Sequence, residues 1–160
     1  MTKGIDEVGD LRLDVDSRER YDTRSKRQRY HERSNRETMI FKGTHTVGAQ
    51  TEIFIQGDAE NERRFALEQE PGYSAAVVLK AQLRNAAGTR QASVTHLHHV
   101  QNVGGTLSIS AGTKEQIGDA DLVAVLVDNA GVLEVHIDDG NVTEVAFDAV
   151  VQLEVLQQFG

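Results

Sequence analysis

Apolar and polar side chains alternate along most of the chain beyond residue 39, most clearly over residues 73–84. There Tyr73, Ala75, Val77, Leu79, Ala81 and Leu83 share one face, with Lys80, Gln82 and Arg84 opposite. Residues 144–155 repeat the pattern, with Val145, Phe147, Ala149, Val151, Leu153 and Val155 set against Glu144, Asp148, Gln152 and Glu154. Successive strand side chains point to opposite faces, so a period of two predicts strands that each lay one face on a core. The same reasoning predicts strands at residues 39–42, 51–55, 63–67, 89–100, 106–110, 122–127 and 132–137. Residues 122–127 are apolar on both faces, as a strand covered on two sides would be.

The segments between these runs carry turn chemistry. Asn85-Ala86-Ala87-Gly88, Asp128-Asn129-Ala130-Gly131 and Asp138-Asp139-Gly140-Asn141 offer residues that tolerate positive φ and close hairpins. No amphipathic helical period follows Met39. The expected fold class is all-β: a two-sheet β-sandwich, of which a jelly roll is one form. It stands behind an N-terminal arm that is extended or partly helical, with the arm at residues 1–38 and the β domain at 39–160.

Charge separates the arm from the domain. Residues 17–42 hold nine Lys or Arg against four Asp or Glu, whereas residues 43–160 hold six bases against sixteen acids. Within residues 17–37 the large apolar side chains are Tyr21 and Tyr30, too few to offset the entropy of ordering that segment alone. The arm is therefore read as a partner-binding element. Its candidate contacts are Tyr21, Arg24, Lys26, Arg27, Arg29, Tyr30, Arg33 and Arg36, residue types that anchor interfaces by ring burial and charge-assisted hydrogen bonds. Upstream, Leu11, Leu13 and Val15 alternate and could add a strand to another sheet.

The 160 residues fit one core with an appendage. The absence of cysteine excludes disulfides and thiol chemistry. With neither a signal-peptide pattern nor an apolar run of membrane-spanning length, a soluble chain with no membrane partner is expected.

Candidate chemistry is sparse. His96 and His98 stand two apart on a predicted strand and so present two imidazoles to one side, with His136 as a third candidate metal ligand. This His-x-His resembles that of cupins, but Gln101 and Asn102 stand where a glutamate would follow, and no second histidine box appears. No metal and no cofactor are expected. The paired carboxylates Asp119/Asp121 and Asp138/Asp139 sit in turns, where acids are usually solvated. Phosphate loops and nucleophile elbows are missing, so no enzyme is expected. An RNA-binding arm is the other class considered; Asp22, Glu32 and Glu37 dilute its positive charge and the acidic domain repels a polyanion, which makes nucleic acid the weaker partner.

Taken together, Tyr21-Asp22-Thr23-Arg24-Ser25-Lys26-Arg27-Gln28-Arg29-Tyr30, Arg36-Glu37-Thr38-Met39-Ile40-Phe41-Lys42-Gly43, Thr51-Glu52-Ile53-Phe54-Ile55 and the Val-rich strand ending at Leu156 resemble small virion structural proteins of tailed bacteriophages. The resemblance implies a non-catalytic β-sandwich located in the virion, decorating and cementing the capsid or belonging to the tail or fibre apparatus. The absence of an internal repeat favours capsid decoration. The partner implied is the major capsid protein or another virion protein, met by a homo-oligomer or multi-copy assembly.

Overall fold

The computed structural model describes residues 35–158, and every regular element among them is a strand. In chain order these are β1 (Arg36–His45), β2 (Thr51–Ile55), β3 (Phe65–Ala66), β4 (Ser74–Asn85), β5 (Gln91–Val103), β6 (Thr106–Gly118), β7 (Leu122–Asn129), β8 (Val132–Asp139) and β9 (Phe147–Gln158). All pairings are antiparallel.

Five long strands lie side by side in the order β1-β9-β4-β5-β6. β2 then carries the sheet round a corner. Its last residues pair with β1 at Phe41 and Lys42, while Thr51, Glu52 and Ile53 pair with β8. β8 continues to β3 on that same side and to β7 on the other. The all-β class expected from the sequence is thus borne out, and the described strands form one connected sheet that curls into a half-barrel. The physical cause lies at the corner. Gly43 faces Ile53 so closely that a Cβ there would overlap the isoleucine side chain, so glycine lets β1 and β2 approach as the sheet bends.

The curled sheet closes on one core. Phe41, Ile53, Val77, Leu79, Leu83, Leu122, Leu133, Val135, Ile137, Phe147, Val151, Leu153 and Val155 are buried in it on inward positions of their strands, with Tyr73 just before β4. Antiparallel neighbours that face one another point to the same side, so the register Leu153↔Met39 and Leu153↔Leu79 joins β1, β9 and β4 into a continuous apolar layer.

Several predicted strands change length. The first begins at Arg36 rather than residue 39, because its start pairs with the end of β9. The segment expected at 63–67 shrinks to Phe65–Ala66, and β6 runs on to Gly118, well past residue 110. β6 carries a bulge: His96 faces Lys114 and His98 faces Ala111, so one β5 residue stands against two on β6, Gly112 and Thr113. The β5–β6 hairpin turns through Gly104 and Gly105, at φ values of 62° and 90°, which glycine adopts without steric cost.

Candidate functional site

Three polar groups and one surface stand out. At one end of the half-barrel Arg90, in the β4–β5 connection, reaches the β6–β7 connection and the last residue of β8. Its Nε donates to Asp119 Oδ2, between β6 and β7, and its Nη1 and Nη2 donate to the two carboxylate oxygens of Asp139 at 2.7 and 3.0 Å. Asp139 is fully buried and also accepts from the backbone amides of Asn141 and Val145 at 3.0 and 2.9 Å. Asp121 accepts from Asn141 Nδ2 at 2.8 Å. The hydrogen bonds to Asp119 and Asp139 push the Arg90 guanidinium above its usual range. The Arg90 hydrogen bond likewise holds Asp119 below the ordinary carboxylate range. Burial raises Asp139, but Arg90 and the two amides outweigh it and keep the group low. One member of each carboxylate pair considered for acid–base work, Asp119 of Asp119/Asp121 and Asp139 of Asp138/Asp139, is thus bound to Arg90. This arrangement ties the β4–β5 and β6–β7 connections to the end of β8.

The second group lies outside the half-barrel on β2 and β8. Glu134 and His136 point away from the core and Glu52 is the register partner of His136. Arg64 Nη2 donates to Glu52 Oε1 at 3.0 Å and Arg64 Nε lies 3.7 Å from Glu134. Asn129 and His136 hydrogen bonds draw Glu134 below its usual range. Glu52, Glu134 and His136 offer ligand atoms close enough together for a metal ion. Arg64 stands beside the same carboxylates as a protein cation.

The third group is His96 and His98. The two rings share the inner face of β5, 4.2 Å apart between centroids, and His98 Nδ1 is buried without a hydrogen-bond partner. Burial, followed by the nearby Lys114 for His96 and by His96 for His98, draws both rings below the usual imidazole range. His136 points away from the core, so the structure does not unite the three histidines that the sequence offered as metal ligands.

Of the predicted partner-binding residues, Tyr21, Arg24, Lys26, Arg27, Arg29, Tyr30 and Arg33 lie outside the described residues. Arg36 lies within them, as the first residue of β1 and the register partner of Leu156.

The remaining feature is a surface that sequence reasoning missed. Among the described residues nothing packs over the outward face of the long strands, and large apolar side chains stand on it: Leu97 and Val150 are 45% and 46% exposed, Leu156 59% and Ile117 75%. These residues occupy positions where the alternation calls for a polar side chain. That interruption was the available signal.

No protein-family model and no curated protein matches the chain. Solved structures similar to it include the tailspike protein of Acinetobacter baumannii phage AM24, with 11% identity and a TM-score of 0.38, covering 79% of this chain and 27% of that one. The tailspike of Acinetobacter phage vB_ApiP_P1 gives 16% and 0.42, over 78% of this chain and 22% of that one. The tailspike gp49 of Acinetobacter baumannii bacteriophage Fri1, described as a capsular polysaccharide depolymerase, gives 11% and 0.33, over 97% and 24%. The chain therefore spans about a quarter of the length of the structures it matches. The expectation that the chain is not an enzyme is overturned here, since a matched chain is itself a depolymerase, and that expectation is withdrawn.

Proposed function

We propose that this chain is a tail-associated structural module of a bacteriophage virion, whose β domain joins other virion protein. The observation that carries the reading is the open outward face of the long sheet. An apolar side chain left in water loses the burial free energy, about 25 cal/mol per Å², that a partner would supply. Contiguous apolar patches on a soluble domain mark interaction sites. The resemblance of the sequence to small virion proteins supplies the particle context, and the tail is taken as the place, as in the tailspike chains.

The test is labelling of purified particles with an antibody against this chain, imaged by electron microscopy. Label at the tail is the expected result. Label spread over the capsid would replace the tail with capsid decoration, and unlabelled particles would end the virion reading.

A further inference from the structure

We propose that the outward face of the five long strands is a self-association surface, which a second copy of this chain covers. The inference rests on the assembly reading above and names the partner.

Charge is the first argument. Residues 35–158 carry eight Lys or Arg against seventeen Asp or Glu, so two copies repel one another over most of their surface. The outward face departs from this. Its positions, fixed by the strand register, hold Arg36, Lys42, Lys80 and Arg84 against Glu115, Asp148 and Glu154. With four bases and three acids it is nearly neutral, and a like-charged copy meets least repulsion there.

Lateral pairing is the second argument. Lys80 Nζ lies 3.2 Å from Glu154, Thr44 Oγ1 donates to Asp148 at 2.7 Å, and Ser93 Oγ donates to Gln82 at 3.0 Å. These groups already have partners within the sheet, so covering them strands fewer polar atoms than covering free ones.

Area is the third argument. Five strands spaced about 4.8 Å apart, with about ten residues each at about 3.4 Å, present a face of about 800 Å². A standard interface buries about 800 Å² on each partner. Leu97 and Val150 lie inside the face beside the laterally paired Lys80 and Glu154, with Arg36 and Arg84 toward its ends.

The experiment is sedimentation velocity on the full chain across the micromolar range, with Leu97→Glu, Leu156→Glu and, as a control in a loop, Val142→Glu. Val142 is fully exposed and lies off this face. The expected result is a wild-type assembly of at least two copies. Either face variant should weaken it by at least about tenfold, with an unchanged far-ultraviolet β spectrum and no effect of the control. A monomeric wild type would overturn the proposal, as would an assembly that both face variants leave intact. A monomeric chain that still labels the tail would fail this inference alone and would point to a different virion protein on the face. A self-associating chain absent from particles would fail the virion reading alone.

Discussion

The two faces of the long sheet are built from the same strands and meet different environments. Inward, Val77, Leu79, Val151, Leu153 and Val155 are completely buried. Outward, Ala76, Lys80, Val150 and Leu156 are exposed on those same two strands. Neighbouring positions therefore perform separate tasks: the inner set decides whether the chain folds, and the outer set decides what the folded chain meets. A strand separates the two tasks because consecutive side chains point to opposite sides.

The largest expected effect is on the inner face. Leu79→Ala should cost about 4 kcal/mol, from lost burial and from the cavity left among β4, β5 and β9. Urea unfolding measures it, and a loss below about 1 kcal/mol would show that the inner layer is looser than its burial implies.

A somewhat smaller loss is expected at the rim joining the connections. Arg90→Ala leaves the fully buried Asp139 without its cation, at a cost of about 3 kcal/mol at neutral pH. Its pH dependence sharpens the point. Asp119 and Asp139 are held below their ordinary value of 3.8, so the stability they contribute is fully present above that pH. It is lost as pH falls through the lower folded values. The gap between wild type and Arg90→Ala, measured by thermal unfolding, should narrow below about pH 4. A gap that stays constant down to pH 2 would mean that the ion pairs do not set it.

The smallest effect should come from the outer face. Leu156→Ser should change the unfolding free energy of the dissociated chain by no more than about 0.5 kcal/mol, because water already reaches that side chain. A loss comparable to that of Leu79→Ala would erase the distinction between the faces.

Particular elements show how far the sequence could be read. The runs through Leu79 and Leu153 identified β4 and β9 because a strand lying on a core must alternate, and both run within three residues of their expected ends. The strand at 63–67 was overestimated because Phe65 and Leu67 match the period while only Phe65 and Ala66 find a partner, on β8. β6 was underestimated because Gly112, Thr113, Lys114 and Glu115 carry no apolar signal; pairing of residues 114–118 with β5 resumes the strand past the bulge.

By itself, the sequence determined the strand-forming segments, which face of each is apolar, and the hairpin turns at residues 85–88 and 128–131, whereas Asp138-Asp139-Gly140-Asn141 joins β8 to β9, which do not pair. These follow from local rules of side-chain direction and backbone sterics, which each segment obeys without its distant neighbours. Tertiary structure alone decided that the sheet curls at Gly43 and Ile53, that Arg90 gathers Asp119 and Asp139, and that His136 stands apart from His96 and His98. Each of these joins residues from separate connections or strands. Strand register sets their proximity, and register is fixed only when the whole sheet pairs.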